Sequence, residues 1–255
     1  MPSSISLVTT VYNRQRYLAE MIESILSQTY PYFELLIWDD GSTDDSLAIA
    51  QHYATQDGRI RVITAPHQGI APALKGAIAA TTAPYLGWVD SDDLLAPTAL
   101  EQTIAILDTR PDIGMVYTNY QVIDADGRDR GLGQRCAIPY TKDQLLLDFM
   151  TFHFRLMRRS VYEQVGGIDP TFDRAEDYDL CLRLSEVTQI HHLNQPLYFY
   201  RQHDSNATND QLEMIRWAYK ASTQALKRRG LDQKYQIDLQ VSSRFSIRPR
   251  QPKTN

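Results

Sequence analysis

The sequence predicts an α/β protein in which a mainly parallel sheet, flanked by helices, is fused to an α+β second half. Strand-like apolar segments alternate with helical patterns over residues 1–110, and this alternation is typical of parallel sheets. Of the 255 residues, 43% are hydrophobic, which is enough for a sizeable core. No linker rich in Gly, Ser or Pro and no internal repeat divides the chain, so we expect one continuous structure.

The first half is predicted from short apolar segments, each followed by a helical pattern. ISLVTTVY (5–12) is β-rich, and apolar residues then recur at helical spacing from Leu18 to Ile25. A helix is expected to begin near Ser42, because Ser42 and Asp45 have the spacing of a capping box. The other expected elements are strands over 33–38, 60–65 and 85–89 and helices over 69–80 and 97–107.

The second half shows a looser pattern. A segment over 113–124 is followed by a polar loop, an expected helix over 141–150 and an alternating strand over 152–157. The C-terminal residues 201–255 are basic, with 11 Lys+Arg against 5 Asp+Glu. There we expect a helix over 209–230 and poor order from about Ser242 onward.

Composition argues against several classes of protein. The net charge of −5 and the pI of about 5.7 do not suit a protein that binds nucleic acid through phosphate contacts. No apolar run approaches the roughly 20 residues of a membrane helix, and the first residues lack the features of a secretion signal. We therefore expect a cytoplasmic protein. Its basic C-terminal segment is either a solvated surface helix with a loose end, or it contacts a charged acceptor or anionic lipid at the inner face of a membrane.

Acidic clusters follow two of the predicted strands. Asp39 and Asp40 follow the second strand, and Asp90, Asp92 and Asp93 follow the fourth. Ligands bind beyond the carboxyl ends of parallel strands, so both clusters could face one ligand. Three neighbouring carboxylates repel one another unless a cation offsets them, and oxygen ligands suit Mg²⁺ or Mn²⁺. An Asp-x-Asp pattern alone is weak evidence, because Asp also caps helices.

A series of motifs resembles the family 2 glycosyltransferases of the Rossmann-like GT-A fold. The motifs occur in order over roughly residues 4–208 and read VTTVYNR, IWDDGSTD, GIAPALKGAIAAT, YLGWVDSDD, GGIDPTF, RAEDYDLCLRL and PLYFYRQHDSNAT. This resemblance implies an inverting enzyme that moves one sugar from a nucleotide-diphospho-sugar to a hydroxyl group. It also implies a nucleotide-sugar-binding half over 1–110, an acceptor-binding and catalytic half over 111–205, and a C-terminal helix and tail over 206–255.

The resemblance also assigns the nucleotide-binding residues. Thr9, Tyr12 and Asn13 would line the nucleobase pocket. Asp39 or Asp40 would bond the base, and the sequence leaves the choice between them open. A UDP-sugar is the expected donor, with a GDP- or dTDP-sugar as the alternative. The expected acceptor is a glycan or a lipid-linked glycan in the synthesis of polysaccharide, cell-envelope or glycolipid glycans.

The metal and phosphate residues come from the same motifs. Asp92 would ligate Mn²⁺ or Mg²⁺, and Asp90 and His203 are further candidate ligands. Asp90 would alternatively face the ribose, with Ser91 beside it in the donor site. Lys75 stands where many relatives carry Asn or Arg, and it would either contact phosphate or face solvent.

The RAEDYDLCLRL motif carries the expected catalytic acids. Its second acid, Asp177, is the predicted general base, and Glu176 is the next candidate. The alternative is that both acids only favour the positive end of a helix.

Two other functions fit the acidic pattern less well. A nucleotidyltransferase or phosphatase would also use Asp-x-Asp, but its other motifs are absent. An inert sugar-binding protein is the third hypothesis. The chain also lacks a QxxRW motif, which predicts that it differs from processive synthases of the cellulose or hyaluronan type.

Overall fold

The computed structural model describes residues 4–204, 206 and 210–241. The strands in this part of the chain are β1 (Ile5–Val11), β2 (Phe33–Asp39), β3 (Ile60–Thr64), β4 (Tyr85–Trp88), β5 (Leu94–Leu95), β6 (Ile113–Asp124), β7 (Asp129–Leu132), β8 (Arg155–Arg158) and β9 (Gln189–Gln202). The helices are α1 (Leu18–Leu26), α2 (Ser46–Gln56), α3 (Ile70–Ala79), α4 (Ala99–Thr109), α5 (Arg159–Gln164), α6 (Glu176–Val187) and α7 (Gln211–Arg228).

All of these strands belong to one sheet. The strand order is β3-β2-β1-β4-β8-β6-β9-β5, and β7 pairs with β6. β1 is parallel to β2 and β4, and β2 is parallel to β3. β8 lies antiparallel between β4 and β6, whereas β6 runs parallel to β9. The predicted parallel first half and mixed second half are confirmed, and the sheet continues without a break across residue 110.

Alternating side chains give the sheet an apolar layer on each face. In β1, Ile5 and Leu7 pack with residues of α1, α2 and α4, whereas Val8 packs with residues of α3, α6 and α7. All three side chains are fully buried. Burying such a side chain stabilises the fold by about 1.5–3 kcal/mol. The helices therefore cover both faces, and the carboxyl ends of β1, β2 and β4 remain at one edge.

Helix α2 begins at Ser46, later than the predicted start near Ser42. The backbone N–H of Ser42 donates to Asp39 Oδ1 at 3.3 Å, and its hydroxyl accepts from the N–H of Asn13 at 3.1 Å. Ser42 thus joins two loops instead of capping the helix. The prediction was wrong because another loop competes for the capping hydroxyl, and Asp45 at the N-cap makes no side-chain capping bond.

The predicted helix over 141–150 is also wrong, since only a single 3₁₀ turn at Gln144–Leu146 forms. Leu145 and Leu146 are buried in this turn, whereas Leu147 is 68% exposed. The predicted strand over 152–157 begins only at Arg155, and the loosely patterned segment 113–124 is the single long strand β6.

Helix α7 confirms the predicted C-terminal helix. It begins after Asp210, whose carboxylate accepts from the backbone N–H of Glu213 at 3.2 Å and so caps the first turn. The expected poorly ordered segment from Ser242 lies outside the described residues. In the described part of the chain, no helix combines the length and apolar character needed to cross a membrane.

A close approach at Gly87 makes the centre of the sheet sensitive to substitution. A Cβ atom at Gly87 would lie 2.9 Å from the carbonyl oxygen of Arg155, and this backbone contact cannot be relieved by a rotamer change. We expect Gly87→Ala to lower the free energy of unfolding by about 1–3 kcal/mol. Urea denaturation measures this loss. Gly58→Ala is the matched control, because a Cβ at Gly58 meets nothing within 4 Å; equal stability of the two variants would contradict the prediction.

Candidate active site

Two adjoining cavities lie at the carboxyl ends of the central strands. Cavity A has a volume of about 380 Å³ and lies beside the loops after β1 and β3, and cavity B has a volume of about 250 Å³ and reaches β8, α6 and α7. Both are lined by Thr10, Ile70, Asp90, Arg174 and Tyr200. The shared residues make the two cavities parts of one cleft.

The turn after β4 sends its three carboxylates in different directions. The N–H of Asp93 donates to the carbonyl of Asp90 at 3.1 Å and closes this turn. Asp90 lines both cavities, and Asp92 and Ser91 line cavity A. Asp93 points inward, where one carboxylate oxygen accepts from the backbone N–H of Arg201 at 2.7 Å.

Burial and mutual repulsion give these three carboxylates different pKa values. Burial first, and then the charge of Asp92, raise the pKa of Asp90 to about 7. The same causes raise the pKa of Asp93 well above its usual range. Burial also opposes ionisation of Asp92, but the hydrogen bond with His203 and the charge of Arg14 prevail and lower its pKa. Asp92 is therefore the carboxylate that stays charged.

Asp92 and His203 lie together, as the sequence predicts for metal ligands. His203 Nε2 is 3.0 Å from Asp92 Oδ2, and Arg14 Nε is also 3.0 Å from that oxygen. The ring of His203 is buried and stacks on Tyr17 with centroids 4.8 Å apart. The positive guanidinium of Arg14 thus contacts the same carboxylate oxygen of Asp92 that would bind a metal ion.

A second group of potential ligands lies on the other side of the turn. One atom each from Asp90, Asp93 and His153 lie within 4.8 Å of one another. His153 is buried, and its burial, followed by the charge of Arg155, lowers its pKa well below the usual range, so the imidazole is neutral. The second carboxylate oxygen of Asp93 has no hydrogen-bond partner among the described residues.

The residues assigned to the nucleobase separate into two groups. Tyr12 and Asp40 line cavity A. The hydroxyl of Thr9 instead donates to the carbonyl of Val89 at 2.9 Å in the protein interior, and the adjacent Thr10 lines both cavities. The cavity is lined by Thr10 and not by the predicted Thr9, because successive side chains along β1 point to opposite faces of the sheet.

Asn13 and Asp39 brace loops, and neither is among the residues that line the two cavities. Asn13 Oδ1 accepts from the N–H of Thr43 at 2.8 Å, and Asp39 accepts from the N–H of Ser42. Lys75 is exposed on α3 and is also absent from both linings.

Asp40 holds the loop after β3 against cavity A. Its carboxylate accepts from the backbone N–H groups of Gln68 and Gly69, both at 3.0 Å, and His67 Nδ1 lies 2.7 Å from Oδ2. The ring of His67 stacks on Tyr12 with centroids 3.9 Å apart. Sequence reasoning missed His67, because a single histidine in a loop gives no signal until Asp40 is seen beside it.

The acids of the RAEDYDLCLRL motif begin α6 and line cavity B. Burial first, and then the charge of Asp177, raise the pKa of Glu176 to about 8, so Glu176 is protonated near neutral pH. Asp177 Oδ2 lies 3.0 Å from Arg155 Nη2, and the Asp177 side chain keeps 19% exposure. Two adjacent acids therefore have different environments, which is a common arrangement in acid–base sites.

Sequence reasoning also missed Arg155, which pairs with Asp177. Its side chain is 1% exposed, and its Nη1 donates to the carbonyl of Thr151 at 3.0 Å. The guanidinium also lies over the ring of Trp88, 5.0 Å from the centroid. The signal in the sequence was an arginine among the apolar residues of FHFRLM, since a charge in a buried strand needs a partner.

Helix α7 forms one wall of cavity B through Met214, Ile215 and Ala218. The basic residues at its end bind the protein itself, because Arg228 Nε lies 3.1 Å from a carboxylate oxygen of Glu186. Because of this ion pair, the charge of Arg228 is not available for the contact with anionic lipid that the sequence suggested.

The fold is the GT-A fold found in solved glycosyltransferases. S. aureus TarS 1–349 in complex with UDP-GlcNAc superposes with a TM-score of 0.69 at 19% identity, covering 86% of this chain and 66% of that one. Mannosyltransferase PcManGT from Pyrobaculum calidifontis, solved with GDP-Man and Mn²⁺, gives a TM-score of 0.69 at 15% identity. This match covers 89% of the present chain and 65% of the mannosyltransferase chain. These likenesses establish the fold.

Residues 6–166 match the family described as Glycosyl transferase family 2, and the chain belongs to this family. Chondroitin synthase of Escherichia coli is 32% identical over 230 residues, covering 89% of this chain and 33% of that protein. The putative glycosyltransferase EpsE of Bacillus subtilis strain 168 is 34% identical over 208 residues, covering 80% of this chain and 74% of EpsE. The predicted family is confirmed.

The chain spans only part of several relatives, 33% of the E. coli chondroitin synthase and 23% of a hyaluronan synthase of Pasteurella multocida. The latter is 28% identical over 228 residues. The expected difference from processive synthases of the cellulose or hyaluronan type stays a prediction.

The buried proton of Glu176 predicts a pH dependence of stability. The unfolded chain releases this proton above about pH 4.5, whereas the folded protein holds it up to about pH 8. The contribution of Glu176 to stability therefore falls as the pH rises from about 5 to 8. We expect Glu176→Gln to remove on the order of 2–4 kcal/mol of this fall, measured by urea denaturation at each pH. Exposed Glu163 provides the control Glu163→Gln, and parallel curves for parent and Glu176→Gln would contradict the assignment.

Proposed function

We propose that this chain transfers one sugar from a nucleotide-diphospho-sugar to an acceptor hydroxyl, with inversion at the anomeric carbon. The observation that carries this proposal is the position of Asp90. It lines both cavities, between the Asp92–His203 pair on one side and the Asp177–Arg155 pair on the other. Cavity A is then the donor site and cavity B the acceptor site.

The donor nucleotide would bind in cavity A. Tyr12 is 40% exposed and offers its ring to the base, and Asp40 and Thr10 offer hydrogen-bonding oxygens. TarS was solved with UDP-GlcNAc and with UDP, which supports UDP as the nucleotide here. The binding role assigned to Thr9 moves to Thr10 in this proposal, and the choice between Asp39 and Asp40 falls on Asp40.

A divalent cation fits best at Asp92 and His203. A carboxylate oxygen and an imidazole nitrogen suit Mn²⁺, and Mg²⁺ is the alternative because it favours oxygen ligands. Asp92 lines cavity A, where the diphosphate would lie, whereas Asp93 of the second group lines neither cavity. When bound, the cation would neutralise the departing diphosphate. Arg14 would have to release Asp92 Oδ2 to it.

Asp177 would act as the general base. Its carboxylate takes the proton from the acceptor hydroxyl while the acceptor oxygen bonds to the anomeric carbon and the bond to the diphosphate oxygen breaks. The diphosphate leaves with the electron pair. Glu176 is already protonated near neutral pH and so cannot accept this proton. Arg155 holds Asp177 in place through the 3.0 Å ion pair.

The acceptor would be a glycan or lipid-linked glycan, because relatives act in such syntheses by name, among them the O-antigen biosynthesis protein RfbC of Myxococcus xanthus. A peripheral membrane contact and a cytoplasmic location remain predictions. The exposed Lys227 is available for such a contact, whereas Arg228 is engaged by Glu186.

Paired substitutions separate the base from the metal site. Asp177→Asn should lower kcat by roughly two to four powers of ten and leave the UDP-sugar Kd nearly unchanged, because a base acts on the acceptor. Asp92→Asn should lose Mn²⁺-dependent UDP binding, measured by calorimetry. His153→Gln should keep it, whereas its loss would place the cation in the second group. Exposed Asp143→Asn is the charge-matched control, and near-parental transfer by Asp177→Asn would contradict the proposed base.

The two aspartates after β2 should differ in their effect on nucleotide binding. Asp40→Asn is expected to weaken UDP affinity by about 1–3 kcal/mol, because Asp40 lines cavity A and also positions its loop. Asp39→Asn should bind UDP almost like the parent. Calorimetric titration of both variants decides this, and equal affinities would show that the segment is only a turn.

A further inference from the structure

Arg135 lines cavity B. Among the described residues, no carboxylate forms an ion pair with its positive charge. Its guanidinium lies over the ring of Phe152, 4.4 Å from the centroid, and over Phe149 at 5.4 Å. Its Nη1 donates only a long hydrogen bond of 3.4 Å to the carbonyl of Phe149. The buried arginines Arg155 and Arg201, by contrast, each pair with a carboxylate.

The guanidinium of Arg135 has the form of an anion-binding group. A planar guanidinium binds carboxylate or phosphate through parallel N–H donors, and here two aromatic rings hold it by cation–π contact. Its remaining N–H groups make no hydrogen bond within the described residues. A second cationic side chain, Arg174, lines the same cavity. Within the described residues, its guanidinium donates a hydrogen bond only to the carbonyl of Asp173.

Arg135 is also close to the proposed reaction centre. The Phe152 ring beneath it lies 4.2 Å from the ring of His153, whose Nε2 is 3.6 Å from Asp90 Oδ2. The charge of Arg135 is one of the causes that lower the pKa of His153. A group bound by Arg135 would therefore share cavity B with Asp177.

We propose that cavity B accepts a sugar that carries an acidic group, and that Arg135 binds this group. This inference rests on the proposed function, because it takes cavity B as the acceptor site. The acidic group is a carboxylate, as in a sugar acid, or a phosphate, as in a sugar phosphate, since both match the guanidinium fork. Arg135 is thus a specificity-determining residue for the acceptor.

The test compares glucuronate, glucose 6-phosphate and glucose as probes of the full chain with saturating UDP and Mn²⁺. Saturation-transfer NMR or calorimetry measures their Kd values. We expect at least one acid to bind the parent about 10–100-fold more tightly than glucose, the usual range for a charged hydrogen-bonded pair. The tighter of the two acids identifies carboxylate or phosphate as the group. Arg135→Gln should remove the preference, and Arg135→Lys should keep part of it.

Arg110→Gln is the control, because Arg110 pairs with Asp112 and lines neither cavity. Equal affinity of the parent for all three probes would overturn the inference, and so would a preference that survives in Arg135→Gln. UDP affinity is measured on the same samples. Failure to bind UDP would reject the proposed function, whereas UDP binding without a preference for acids would reject only the role of Arg135.

Discussion

Repulsion among the carboxylates after β4 is the constraint on which the rest of the site depends. Asp90, Asp92 and Asp93 lie within four successive positions, and only Ser91 intervenes. Like charges that are close and partly buried strongly oppose each other's ionisation. Hydrogen-bond donors from distant parts of the chain bind this turn. Arg201 is fully buried, donates its N–H to Asp93, and donates from Nε to the carbonyl of Asp92 at 2.8 Å. The acidic turn thus fixes where β9 must lie.

The two acids at the start of α6 show the same physics on a smaller scale. Both line cavity B, but Glu176 is buried and holds a proton, whereas Asp177 lies next to the buried guanidinium of Arg155. Neighbouring residues on a helix point in directions about 100° apart, so one can be more fully desolvated than the other. Trp88 and Thr151 hold the guanidinium that makes this difference possible.

Much of the fold could be predicted because strand and helix periods are local properties of a sequence. The strands of the first half follow from such patterns, whereas the family and the roles expected of Asp92 and His203 came from the resemblance of whole motifs. The start of α2 could not be read from Ser42, because its hydroxyl is taken by the N–H of Asn13 from another loop. Likewise, Arg155 and Arg135 acquire their roles from contacts far along the chain, which no local spacing reveals.

The position of β8 between β4 and β6 sets the order in which the chain can become structured as it leaves the ribosome. Until Arg155–Arg158 has been synthesised, β4 presents an unpaired edge that is open to other strands. The acidic turn waits longer still for two of its partners, because Arg201 and His203 are synthesised after β8. Long-range pairing of this kind slows folding and exposes intermediates. The emerging first half is therefore the stage of synthesis at which this protein most needs protection from aggregation.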